Sequence, residues 1–202
     1  MSIIDLGKQS LIYGAGHVLA RLITFLLLPL YTHTFTQEEY GALSLAYAFM
    51  GFALILYRYG MDTAMMKYSV QKQGPERKKY ITLIIVTQFI TSFLFTFIIY
   101  FTRLSTAEYV LGTYRPDWIS YLAVILFFDT LWNLPLLILR SEEKAIPYIL
   151  LSLLNVILTM ALNIMFVVYW EQGIEGVFRA NIIASAFIFL VSLPIVIKRV
   201  VF

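Results

Sequence analysis

The sequence predicts an all-α membrane protein, a bundle of six transmembrane helices. Three observations carry this. Of 202 residues, 60% are hydrophobic and only 13% charged, and the mean hydropathy is +0.81; a soluble domain carries about 25% charge and about 45–50% apolar residues. The apolar residues gather into six runs, at about 11–31, 42–64, 80–101, 118–139, 145–169 and 177–197, each long enough for a bilayer core that takes about 20 helical residues. The charge of the connecting segments alternates from one to the next, as loops on opposite sides of a membrane do.

Taken in order, span one follows a polar lead holding Asp5 and Lys8. It is too long for the apolar core of a cleavable signal, and no small-residue cleavage pattern follows it. At about 100° per residue, Gly14, His17, Arg21, Thr24 and Leu28 share one face. The loop at 32–41 is acidic, with Glu38 and Glu39. Span two puts Ser44, Tyr47, Gly51, Arg58 and Asp62 on one face. The loop at 65–79 is the most basic segment, with Lys67, Lys72, Arg77, Lys78 and Lys79, and Gly74-Pro75 marks a turn in it. Span three is interrupted only by Gln88, Thr91 and Ser92, and a mixed loop at 102–117 follows. Span four carries Asp129 at its centre, with Asn133 and Arg140 on the same face and a kink expected at Pro135. Span five bears the stripe Tyr148, Ser152, Asn155, Thr159, Asn163. After an acidic turn, span six carries Arg179, Asn181, Ser185 and Ser192, and Lys198-Arg199 closes it.

Of the 15 basic residues, ten lie in the lead, the second and fourth loops and the tail; two lie in the other loops, and three within spans. The positive-inside rule therefore puts both termini in the cytoplasm, with Arg21 and Asp129 near the midplane and Arg58 and Asp62 toward the cytoplasmic side.

Charges inside spans are costly and commonly mark a substrate or ion pathway. Arg21, Arg58, Asn155 and Asn163 are the candidate substrate-binding residues, and His17, Asp62 and Asp129 the candidate ion-pair or coupling residues. A structural reading stands beside this one: Arg58 and Asp62, at i and i+4, neutralise each other, Arg21 pairs with Asp129, and the stripe of span five packs helices together. No catalytic motif is present, and two histidines without a cysteine leave little for a metal site. We expect a non-enzyme with no cofactor, no metal and no nucleic-acid partner, in contact with bilayer lipids.

Three stretches carry a resemblance. Leu6-Gly7-Lys8-Gln9-Ser10 leads into span one, which closes on Pro29-Leu30-Tyr31-Thr32. Thr36-Gln37-Glu38-Glu39-Tyr40-Gly41 opens span two, and Tyr59-Gly60-Met61-Asp62-Thr63-Ala64 closes it. Gly173-Ile174-Glu175-Gly176-Val177 enters span six. In this order they resemble the polysaccharide-exporter (Wzx-type oligosaccharide flippase) family, within the superfamily that also holds multidrug extruders. The resemblance implies one lobe of a two-lobe flippase, working in a bacterial inner membrane. It implies that undecaprenyl-diphosphate-linked oligosaccharides, built into O-antigen, capsule or exopolysaccharide, cross between leaflets, their diphosphate received by cavity cations; Arg21 and Arg58 match by position. A second lobe is then expected, from a missing C-terminal half or a homodimer partner. The alternatives are an ion-coupled multidrug or cation extruder of the same superfamily and a non-transporting membrane assembly protein.

Overall fold

The computed structural model describes residues 3–112 and 115–201, with side chains from residue 14 onward except at 17 and 24. The described chain is helical throughout its core: α1 (Ile3–Thr34), α2 (Gln37–Arg58), α3 (Met61–Gln71), α4 (Gly74–Phe101), the single turn α5 (Arg103–Thr106), α6 (Pro116–Ser141), α7 (Ala145–Asn163) and α8 (Gly173–Ile197). Wide π-helical turns follow α5 (Ala107–Leu111) and α7 (Ile164–Tyr169). Six helical stretches, on α1, α2, α4, α6, α7 with its π turn, and α8, are long and apolar enough to cross a bilayer.

α6 is the axis of the bundle. Of its span, 67% is buried, against 19–28% in the other five. It packs on α8, α4, α2 and α3, while α1 lies chiefly on α7. Near one end of the bundle, Leu27, Tyr31, Leu43, Ile119, Leu122 and Phe178 form a core. Near the other, Met65, Ile81, Ile84, Leu134 and Ile138 form a second. The bundle's surface is apolar: Leu22, Phe25, Phe52, Ile55, Phe93, Phe97, Leu150 and Ile157 are all exposed. A surface of this kind is stable against hydrocarbon and a liability in water.

Local chemistry moves two expected boundaries. α2 starts at Gln37 rather than near 42. Thr36 and Glu39 form a reciprocal capping box, with the Glu39 amide donating to Thr36 Oγ1 (3.3 Å) and the Thr36 amide donating to Glu39 Oε2 (2.9 Å). Span two does not run on to 64 as one helix. Tyr59 (φ 27°) and Gly60 (φ 89°) break it, and α3 begins at Met61. Gly60 tolerates this φ because it has no Cβ. The broken turn leaves the Tyr57 carbonyl to be satisfied from outside the helix. Fully buried Gln88 does so, donating from Nε2 at 2.7 Å and also to Ser92 Oγ at 3.0 Å. Much of the expected basic loop is therefore the helix α3. The expected loop at 102–117 likewise contains α5 and a π turn.

The end of the bundle opposite the Thr36 cap is tied by Glu142. Its carboxylate accepts from Arg199 Nε (2.6 Å) and Arg77 Nη2 (3.1 Å) and pairs with Lys144 Nζ (2.9 Å). The tail, the start of α4 and the α6–α7 turn are thus joined. These bonds, Arg199's foremost, hold the Glu142 carboxyl at about 2, below its ordinary 4.5, against the opposing effect of burial.

Candidate functional site

α1 has a packed side, an apolar exposed side and, between them, a stripe that reaches a cavity. On α1, Gly16, Leu27 and Tyr31 pack inward while Leu22, Phe25 and Leu26 are exposed. At Gly16 a Cβ would sit 2.7 Å from the Ile149 side chain, so α1 and α7 approach as closely as they do only with glycine there. Leu28 and Tyr31 bring the third stripe of α1 to a cavity of about 420 Å3. α2 contributes Tyr40, Ser44 and Tyr47, α7 contributes Asn155 and Thr159, and α8 contributes Asn181. Its volume lies within the roughly 300–1,000 Å3 of small-molecule sites. The lining mixes hydroxyls, amides and aromatic rings with the aliphatic side chains of Leu27, Leu28, Leu43 and Val156, and holds no charged side chain.

The polar groups around this cavity are positioned by bonds between distant helices. Tyr31 OH donates to Asn163 Oδ1 at 2.8 Å, and Asn163 Nδ2 donates to the Thr159 carbonyl at 2.8 Å. Asn181 Nδ2 donates to Tyr47 OH at 3.1 Å. Asn163 is fully buried behind the wall, whereas Asn155 lies on the wall itself.

Toward the Glu142 end, the polar face continues into charge. Half-buried Asp129 accepts from Ser185 Oγ (2.5 Å) and Trp132 Nε1 (3.0 Å) on its Oδ1. Arg58 Nη1 and Asp62 Oδ2 are 3.3 Å apart, each about a third exposed, and Asn133 Nδ2 donates to Asp62 Oδ1 at 3.1 Å. The expected pair thus forms, but across the break between two helices. Arg58 lies in the last turn of α2 and Asp62 in the first turn of α3, so each charge is also at the favourable end of its helix dipole. Arg58 Nε is buried with no hydrogen-bond partner.

Arg21 is exposed. It shares the stripe of Leu28, about 10 Å along the axis at 1.5 Å per residue, at the border between the cavity side and the apolar exposed side of α1. The expected Arg21–Asp129 pair is not among the ion pairs of the described residues, and Asp129 turns instead to Ser185 and Trp132. The side chain of His17 lies outside the described residues.

Comparison with known proteins then bears on identity. Residues 6–202 match the model of a family described as polysaccharide biosynthesis protein. The chain belongs to that family. An uncharacterized membrane protein of Haemophilus influenzae is 26% identical over 195 residues, 96% of this chain and 45% of its own length. A crystal structure of a MATE mutant shares the fold with a TM-score of 0.68 at 20% identity, over 94% of this chain and 44% of the MATE chain. The chain spans under half the length of both.

In this polysaccharide biosynthesis family member, Tyr31, Tyr40 and Tyr47 form the aromatic part of the cavity wall, and the sequence marks neither Tyr31 nor Tyr40 as a cavity residue. Tyr47 stands on the polar face already read from span two, and that was the available signal. Tyr40 reads as an interfacial belt residue, and nothing in the order of residues distinguishes such a tyrosine from a cavity one. Of the partners of Asp129, Trp132 lies one helical turn along α6, whereas Ser185 is legible as a partner only once α8 is placed against α6.

Proposed function

We propose that this chain is one lobe of a carrier that moves undecaprenyl-diphosphate-linked oligosaccharide units across a bacterial inner membrane for cell-surface polysaccharide synthesis, with the Glu142 end in the cytoplasm. One observation carries the reading. The lobe has a concave face on which an uncharged cavity, its tyrosines, amides and hydroxyls set among Leu27, Leu28, Leu43 and Val156, is built from the same two helices that carry Arg21 and Arg58. Aromatic rings and amides suit sugars. A guanidinium suits a diphosphate, through bidentate charge-assisted hydrogen bonds. Arg58 has a buried Nε still uncommitted, and Arg21 is exposed on α1. The diphosphate then docks at the arginines with its sugars toward the cavity, and the polyprenyl chain stays in lipid along the exposed stripe of α1. Arg58 exchanges part of its pairing with Asp62 for the ligand. A second six-helix body supplies the opposite wall.

Hydrogen bonds to charged groups contribute about 1.5–3 kcal/mol each. In the full-length protein, Arg21→Ala and Arg58→Ala are each expected to lower polysaccharide export about tenfold or more, with membrane insertion unchanged. Normal export by both variants contradicts the docking role.

A second reading has one observation of its own. Asp129, half-buried and held by Ser185 and Trp132, is an acid without a neutralising ion pair among the described residues, which suits a carrier of small cations coupled to ion movement.

A further inference from the structure

A second concavity lies at the Glu142 end, away from the face just described. We propose that it binds a phosphate group at the membrane surface, of the kind an anionic phospholipid carries. The cavity measures about 530 Å3 and is lined by Ser69, Val70, Lys72, Arg77, Ser141 and Lys144 around Glu142. Its charge is not balanced from within. Arg77, Lys144 and Arg199 all converge on the single carboxylate of Glu142, and three cations on one anion leave a surplus of two. Lys72 and Glu76, paired at 2.8 Å, leave this surplus unchanged.

The donors are also incompletely used. Arg77 Nε is buried with no partner, a costly state for a cationic donor unless an acceptor arrives. α4 starts at the same place, with no side-chain cap from Gln73 and Pro75 in its first turn, so its leading amides and the positive end of its dipole add to the field. An oxyanion with several acceptor oxygens answers the surplus charge and the unfilled donor together.

The surroundings are those of a bilayer interface. Tyr68 and Tyr80 stack at 4.5 Å, with Lys67 over one ring and Lys72 over the other. Val70 on the cavity wall and Ile146, two residues past Lys144, are both 62% exposed. Tyrosines and lysines beside bare aliphatic side chains mark the headgroup level. A lipid fits both parts, with its phosphate in the cavity and its acyl chains on Val70 and Ile146. A soluble phosphate fits only the first.

The test is native mass spectrometry of the full-length protein in neutral detergent, titrated with phosphatidylglycerol, with phosphatidylcholine and, separately, with inorganic phosphate. Wild type is expected to retain phosphatidylglycerol over phosphatidylcholine. The Lys72→Gln/Lys144→Gln variant, which leaves the Arg77 and Arg199 bonds to Glu142 in place, is expected to retain it about tenfold less. The Lys78→Gln/Lys79→Gln variant loses the same charge from the same basic region outside the cavity, and is expected to match wild type. Thermal unfolding of all three checks that each is folded. Retention of inorganic phosphate with the same dependence on Lys72 and Lys144, and no preference between the lipids, keeps the site and assigns it to a soluble phosphate. Equal loss in both double variants, or no retention of either anion by wild type, overturns it. The readout is bound anion, so the result stands apart from any export assay.

Discussion

Arg58 and Asp62 show how one pair of charges can serve two readings. They lie 3.3 Å apart and a third exposed, so they neutralise each other as the i, i+4 spacing suggested. The same exposure leaves them within reach of an incoming anion. Asp129 discriminates between the readings more sharply, because it is held by neutral donors. If the protein carries lipid-linked oligosaccharide, Asp129→Asn is expected to leave drug susceptibility of an efflux-deficient host unchanged. If it extrudes cations, that substitution abolishes the resistance which the wild type confers. At this scale the sequence made the Arg58–Asp62 pair legible through its i, i+4 spacing, whereas the partners of Asp129 were not the expected Arg21 but Ser185 and Trp132. It was illegible where the fold brings ordinary residues together. Tyr31 and Asn163 are 132 positions apart, and no local pattern links them.

Among the elements, the break between α2 and α3 was the least visible. Tyr59 and Gly60 sit between Arg58 and Asp62 near the end of an apolar run, and a single glycine there does not announce a helix end. The break depends on two separate devices, the positive φ of Gly60 and the Gln88 amide on the Tyr57 carbonyl. Gln88→Leu removes the donor and leaves a buried carbonyl unsatisfied, which costs about 1–3 kcal/mol. Its full-length variant is expected to unfold at lower temperature in detergent, with Arg58 and Asp62 still present but less well held. An unchanged unfolding temperature would show that another donor or water replaces the amide. The six long helices themselves were legible because each needs only length and apolarity to declare itself. α6, with 67% of its span buried, gave no such hint of its central place, since a lipid-facing and a protein-facing apolar helix read alike.

For the whole molecule, Glu142 is the tie that closes one end of the bundle, joining three segments that the sequence shows only as scattered charges. The bonds from Arg199, Lys144 and Arg77 hold its carboxyl at about 2, below its ordinary 4.5. A depressed carboxyl stabilises the fold fully above the unfolded value, and this contribution is lost as the pH falls through about 2. Glu142→Gln is expected to lower the unfolding temperature at pH 7, and its difference from wild type is expected to shrink as the pH falls from 4.5 to about 2. A difference that does not vary with pH would mean that Glu142 acts by packing alone. The six-helix body spans 44% of a MATE chain of the same fold, and its concave polar face, in the proposed carrier, is one wall of a pathway completed by a second body.

That wall must be wet for the carrier to work, and the chain's lack of cysteine makes this directly measurable. Single cysteines at Asn155, Thr159, Asn163, Leu154 and Ile157 in the full-length protein, on a background without other cysteines, can be challenged with a membrane-impermeant, water-soluble thiol reagent. The account predicts rapid labelling at 155 and 159 on the cavity wall and none at 163 behind it or at the exposed apolar positions 154 and 157. If 155 and 159 are as unreactive as 154 and 157, the polar face is dry and the transport reading is contradicted.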